Sequence, residues 1–191
     1  MKKIVLASSS PRRRELLKQI GLEFRTLVCP VDETPPGDAG PAELVQILAE
    51  RKAAAVAGIL DDGLVIGADT VVVWNGLVMG KPSDGEDAAR MLRLLQGTSH
   101  EVYTGVAVID ADGGRSLVGC EKTQVCFRPL EEEEICRYVA TGEPMDKAGA
   151  YAAQGLATVF ISGIKGCYTN VVGLPLPKLA QMLKQFGCRV I

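Results

Sequence analysis

The chain has 191 residues, 47% hydrophobic and 23% charged, enough apolar material for the core of one domain or two closely joined lobes without a disulfide staple. A formal net charge of −2 excludes the bulk basic balance of a nucleic-acid binder or a polybasic membrane protein, so any basic cluster needs a local explanation. No apolar run approaches the roughly 18–20 residues of a membrane span, and the run Ile4 to Ala7 falls short of the roughly 7–15 apolar residues of a secretory segment, so a cytoplasmic protein is expected.

Ile4 to Ala7 reads as a short buried strand. Ser8-Ser9-Ser10-Pro11-Arg12-Arg13 follows and marks a helix start. Serine caps, and proline suits the first helical position because its missing N–H would be unpaired there anyway. Gly21 ends that helix. Phe24 to Cys29 reads as a second strand, and the Pro-, Gly- and Asp-rich stretch Asp32 to Gly40 as a loop. Pro41 opens a second helix with an apolar stripe at Leu44, Ile47 and Leu48 and a basic end at Arg51-Lys52. Leu64 to Ile66 and Val71 to Trp74 are strand material around Gly67-Ala68-Asp69-Thr70, and Asn75-Gly76 signals a hairpin turn. A third helix runs from Asp84 to Gln96, capped by Ser83 or Asp84. Val102 to Asp110 and Leu117 to Phe127 form a hairpin across Ala111 to Gly114. Leu130 to Ala140 is helical with acids in its first turn, as the dipole prefers. Thr158 to Ser162 and Thr169 to Val172 read as strands, and Pro175 to Phe186 as a closing helix. Helices alternate with strands, but two hairpins interrupt them. The pattern therefore predicts an α/β fold on a mixed, partly antiparallel sheet flanked by helices, in a single domain over 1–191.

The six cysteines form no CxxC pair and read as reduced, buried thiols; a zinc site is not expected. His100 is the single histidine and precedes a strand, where it reads as a surface or turn residue. No GxSxG, HExxH, GxGxxG or GxxxxGK[ST] occurs. The remaining tools are carboxylates, lysines, arginines and hydroxyls. That set suits phosphoryl chemistry assisted by a hard divalent cation, which takes oxygen ligands.

Four segments carry such groups. The strand–SSSPRR–helix unit joins a helix N-terminus, serine hydroxyls and the fixed charges of Arg12 and Arg13, a combination that binds phosphate; a capped helix with a solvated basic face reads equally from spacing alone. Gly67-Ala68-Asp69-Thr70 sets an acid between two apolar stretches, where it serves as a base or metal ligand, or as a turn aspartate satisfied by backbone N–H groups. Asp32-Glu33 lies in a loop directly after a strand, and Lys52 and Lys81 are candidate phosphate partners, with a solvated surface lysine the alternative at each. Glu143 to Tyr151, followed by Gln154-Gly155, mixes charges with small residues; Gln154 has the amide that could read a base edge, and an ordinary polar loop is the alternative.

Together these residues resemble the Maf family of nucleotide pyrophosphatases. The matching segments are SSSPRRRELL, GADTVV, GKP, GEPMDKAGAYAAQG and GCYTNVVGLPL, spread from residue 8 to residue 176. The resemblance implies an inosine triphosphatase-like fold of two lobes with a central cleft, and cleavage of a nucleoside triphosphate into monophosphate and pyrophosphate. It implies Asp69 as the proton acceptor, and Arg12, Thr70 and Gln154 as the residues of substrate choice. Ser8, Arg12, Arg13, Lys52 and Lys81 would hold phosphates, and Glu33 and Asp69 a divalent cation, Mg²⁺ or Mn²⁺. It also implies dTTP and UTP as substrates and a homodimer. The alternatives are a 7-methyl-GTP pyrophosphatase of the sister branch and a non-catalytic nucleotide- or RNA-binding regulator of cell division.

Overall fold

The computed structural model describes residues 2–35 and 37–190. Leu64–Trp74 is one unbroken strand, the third in chain order (β3), where the sequence suggests two strands around a turn. Its residues from Leu64 to Ala68 are all buried, so apolar side chains serve both of its faces, as expected of a central strand. Gly67-Ala68-Asp69-Thr70 is therefore extended backbone inside a sheet.

The chain divides into two compact units. The first holds the described residues up to Asp69, Thr104–Glu121, and those from Gly173 onward. Here β1 (Ile4–Leu6) lies parallel to both β2 (Phe24–Thr26) and β3, with Leu6 opposite Thr26 and Ile66. Helix α1 (Pro11–Gln19) buries Leu16 and Leu17. Ser10 stands at its N-terminus but makes no side-chain cap, so the serine-cap expectation fails there; its carbonyl accepts the Arg14 N–H at 3.3 Å. Helix α2 (Pro41–Ala57) packs Ala49, Ala53 and Val56 with Val5, Val65 and Ala107. The approach is close because the sheet presents glycine to it. A Cβ on Gly67 would lie 2.2 Å from the Ala49 carbonyl oxygen, and one on Gly105 would lie 2.0 Å from that of Val45.

The second unit holds Thr70–Tyr103 and Lys122–Val172. Its part of β3 turns through Asn75-Gly76, both at positive φ (46° and 81°) as a two-residue hairpin of this kind requires, into antiparallel β4 (Leu77–Met79). Helix α3 (Gly85–Leu95) is capped by the Asp84 carboxylate, which accepts the Asp87 N–H at 2.8 Å. The long strands β5 (Ser99–Asp110) and β6 (Ser116–Phe127) are neighbours joined by a short turn, and both contribute residues to each unit. Helix α4 (Glu132–Ala140) and α3 bury Ile135, Leu92 and Leu95 in a core with Val72, Val102 and Phe127. Strand β7 (Ile161–Lys165) pairs antiparallel with β6. The strand order is β2-β1-β3-β5-β6-β7 with β4 on β3, a mixed sheet with helices packed on it, as the alternation predicts.

Four further readings are corrected. Residues 169–172 belong to a short helix, α5 (Tyr168–Val172), although Thr-Asn-Val-Val favours strand. Tertiary bonds override that preference: buried Asn170 donates its amide to the Val102 carbonyl and to the Thr123 hydroxyl, each at 3.0 Å. The strand expected from Thr158 starts only at Ile161, because Leu156–Phe160 winds into a 3₁₀ turn in which the Thr158 hydroxyl bonds local backbone. His100 is in the core, 2% exposed. It is the second residue of β5, so alternation turns it inward. Its Nε2 shares a 2.7 Å hydrogen bond with the Tyr151 hydroxyl, and its ring meets Phe127 edge-on at 5.0 Å. All six cysteines are free thiols, but only Cys188 is buried and Cys136 is exposed. The closing helix, α6 (Leu176–Gln185), buries Leu179 and Leu183.

Gly105→Ala forces a methyl group into the α2 backbone and is expected to cost about 3 kcal/mol in urea unfolding; Gly163→Ala, where a Cβ meets nothing within 4 Å, should cost under about 0.5 kcal/mol. Burial holds the His100 pKa down from 6.5 to about 4. Between those values the unfolded chain takes up a proton that the folded chain refuses. The His100 contribution to stability should therefore fall by about 3 kcal/mol as pH drops from 6.5 to 4 and level off below. In His100→Phe that part of the pH dependence should disappear from the unfolding curves.

Candidate active site

Parallel pairing decides which groups in the first unit converge. Because β1, β2 and β3 run the same way, the segments leaving their C-terminal ends gather at one edge, where open α/β sheets bind ligands. Ser8 and the start of α1 come after β1, the loop carrying Glu33 comes after β2, and Asp69 lies on β3 three residues past Ile66, which pairs with Leu6. Helix α2 adds Lys52.

Lys52 is the hub. Its Nζ lies 2.6 Å from Asp69 Oδ1 and 2.7 Å from Glu33 Oε1. The Lys52 and Asp69 side chains are 18% and 16% exposed, whereas Glu33 is 63% exposed, so the inner pair is the less screened by water. Lys52, expected as a phosphate partner, thus holds two carboxylates here. Arg13 forms a second node. Its Nη1 donates to Ser8 Oγ at 3.1 Å and its Nε to the Gly173 carbonyl at 2.8 Å. Burial pulls the Arg13 pKa down; the negative charge of Asp69 opposes this, Arg12 adds to it, and Glu33 opposes it. The guanidinium nevertheless stays charged. Ser8 Oγ also accepts the Ser10 N–H at 3.3 Å, which folds the SSSPRR turn upon itself.

Spacing alone did not single out Arg51. Its Nη1 donates to the carbonyls of Asp32 at 2.9 Å and Thr34 at 3.0 Å, tying down the loop on both sides of Glu33. The only signal was its place in the Arg51-Lys52 pair at the basic end of α2. Asp32 serves that loop as well: its carboxylate accepts the Thr34 N–H at 2.8 Å, and bonds from Thr34 hold its pKa below the usual carboxylate value.

The site residues expected from sequence divide between the units. Ser8, Arg12, Arg13, Glu33, Lys52 and Asp69 lie in the first; Thr70, Lys81 and Gln154 lie in the second. Thr70 is half-buried on β3 and, by strand alternation, faces away from Asp69. Lys81 and Gln154 are exposed, on the segment after β4 and on the loop after Tyr151. Two carboxylates drawn to one ammonium make an oxygen donor pair. Mg²⁺ and similar cations are commonly held by one or two carboxylates plus water and substrate phosphates, so the pair fits such an ion. Among the described residues no group of three or more His, Cys, Asp or Glu side chains gathers into a fuller cage.

The model of a family described as Maf-like protein matches residues 3–186. The chain belongs to the Maf family. Its Maf relatives include the dTTP/UTP pyrophosphatase of Pelotomaculum thermopropionicum, 69% identical over 191 residues and all of both chains. That of Desulforamulus reducens is 56% identical over the same span. That of Bacillus anthracis is 48% identical over 190 residues, 100% of this chain and 98% of the other. Among solved structures, the Ham1 protein of Staphylococcus aureus aligns over 66% of this chain and 72% of its own, at 18% identity and a TM-score of 0.48, too loose a likeness to bear on the site. Among the described residues no helix is long and apolar enough to cross a membrane.

Arg13 reaches two acceptors at once through a planar fork, which an ammonium cannot copy. Arg13→Lys is expected to lose about 1–2 kcal/mol of stability, read by urea unfolding at neutral pH.

Proposed function

We propose that this Maf protein is a nucleoside triphosphate pyrophosphatase acting on dTTP and UTP, releasing the monophosphate and pyrophosphate. The observation that carries the reading is the meeting of Asp69 and Glu33 on Lys52 beside the Arg13–Ser8 node. A simple anion binder has no use for carboxylates next to its cations, since they repel phosphate. The substrate is supported by the names of relatives up to 69% identical over the whole chain.

In this reading Asp69 accepts a proton from the water that attacks the α-phosphorus. The new bond joins water oxygen to phosphorus, and the bond to the bridging oxygen breaks, releasing pyrophosphate. Lys52 holds the Asp69 carboxylate in place. Arg12, Arg13 and Ser8 bind phosphate oxygens with the first turn of α1, whose N–H groups lack a side-chain cap. Lys81 is a further phosphate partner, and Arg12, Thr70 and Gln154 select the base. Glu33 and Asp69 would hold a divalent cation, which supplies charge neutralisation and a more acidic water. We take the two units as one functional domain, supported by the family match across residues 3–186. The family resemblance is the support for a homodimer working in the cytoplasm.

Pyrophosphate release should be measured over canonical and modified nucleotides with Mg²⁺ or Mn²⁺. dTTP and UTP are expected to lead the panel, and Asp69→Asn should lower kcat by about 10²–10⁴-fold while nucleotide binding survives. Undiminished turnover in Asp69→Asn removes that residue from the proton-transfer role. A leading rate on 7-methyl-GTP overturns the substrate, and binding without turnover overturns the activity.

A further inference from the structure

The stretch Glu143 to Gln154 is the one sequence segment rich in polar groups whose role phosphoryl transfer leaves undefined. In the structure most of its polar groups bond within the loop or to the elements beside it. Gln154 is exposed, yet the three residues before it, Tyr151, Ala152 and Ala153, are buried. Their backbone is tied on every side of Gln154. On the N-terminal side, the Tyr151 hydroxyl bonds His100 Nε2 at 2.7 Å in the core. On the C-terminal side, Glu143 Oε2 accepts the Leu156 N–H at 3.1 Å, and its Oε1 accepts the Tyr138 hydroxyl at 3.0 Å. Between them, the Thr158 hydroxyl reaches the carbonyls of Ala153 at 2.8 Å and Gly155 at 2.7 Å, the two residues that flank Gln154.

Gly155 records how tight this arrangement is. A Cβ there would lie 2.6 Å from Glu143 Oε1, so the carboxylate sits where any side chain would have to go. Glu143 is in turn fixed from its own backbone: the Lys147 ammonium, nearly buried, donates to the Glu143 carbonyl at 2.9 Å and pairs with Asp146. The same frame reaches the lysine expected to bind phosphate. The Gly149 N–H donates to the carbonyl of Gly80, the residue before Lys81, at 3.0 Å. Gly149 and Ala150 both hold positive φ, 68° and 60°, and a Cβ on Gly149 would lie 2.8 Å from Val72. A non-glycine residue at positive φ is strained, and such strain persists only where the surroundings over-determine it.

The geometry points to Glu143 and Thr158 as positioning residues for base selection: they hold the backbone on either side of Gln154 and set where its amide stands. Neither touches the nucleotide. The inference rests on Gln154 reading the base, the role proposed for that residue. Holding the backbone fixes where the side-chain amide stands and so limits which base edges come within its reach, whereas a free loop would let it meet many.

The test uses the full chain with Thr158→Val, which keeps shape and removes the hydroxyl, Glu143→Gln, which removes one acceptor, and Thr158→Ser as the rescuing variant. kcat and KM are measured for dTTP and CTP, with thermal unfolding to register stability. Thr158→Val and Glu143→Gln are expected to raise KM for dTTP and narrow the dTTP-to-CTP ratio of kcat/KM, each by about tenfold, with kcat held within about twofold. Thr158→Ser should keep the parent ratio. In a Gln154→Ala background, Thr158→Val should narrow the ratio no further. If Gln154→Ala narrows the ratio while Thr158→Val and Glu143→Gln leave it intact, positioning is overturned and base reading stands. A loss of thermal stability with an unchanged ratio likewise overturns it. If Gln154→Ala itself leaves the ratio unchanged, base reading fails and takes the positioning role with it.

Discussion

The close seat of α2 on the sheet governs the first unit. Gly67 and Gly105 present bare backbone, and the carbonyls of Ala49 and Val45 occupy the space that side chains would take. From that contact the polar geometry results by simple periodicity. Lys52 lies three residues beyond Ala49, on the same helix face; Asp69 lies two residues beyond Gly67, on the same strand face. A helix held further away would carry the ammonium out of reach of the carboxylate. The 2.6 Å pair of Lys52 and Asp69 is thus a product of apolar packing.

Much of this was legible in the sequence. Strand, helix start and basic pair were all readable in the stretch from Ile4 to Arg13, because a short apolar run followed by serine, proline and arginines leaves little else open. Asp69 was legible as chemistry, since an acid between apolar strand residues is costly to bury without a partner, whereas Glu33 was marked only by its place after a strand and by the family resemblance. What the sequence could not supply was the partner. Lys52 was expected at phosphate, and only the folded register shows it holding both acids. Arg51 escaped notice for a similar reason: its two acceptors are backbone carbonyls in another segment, and carbonyls leave no trace in residue identity.

The misreadings share a cause. Residues 169–172 have strand-like composition, but a buried amide at Asn170 and its distant acceptors make them helical. His100 looks polar and adjoins a turn, yet alternation from Ser99 sends it into the core against Phe127 and Tyr151. Local propensity is outweighed wherever a side chain finds a partner far along the chain. The segment from Glu143 to Gln154 reads from its polarity as a base-reading stretch or an ordinary polar loop, and in the fold Tyr151 and Glu143 find partners on neighbouring elements at His100 and Tyr138.

The charges gathered around Lys52 have a consequence for what can enter. Lys52 pairs with Glu33 and Asp69, and the adjoining charges of Arg13 and Arg12 leave the set a surplus of one positive charge. A triphosphate brings several negative ones. These side chains alone cannot neutralise such an anion, and each carboxylate makes the set less welcoming to a bare polyphosphate. In the proposed reaction the remaining positive charge would come with a cation, which favours a nucleotide complexed to one over the naked anion.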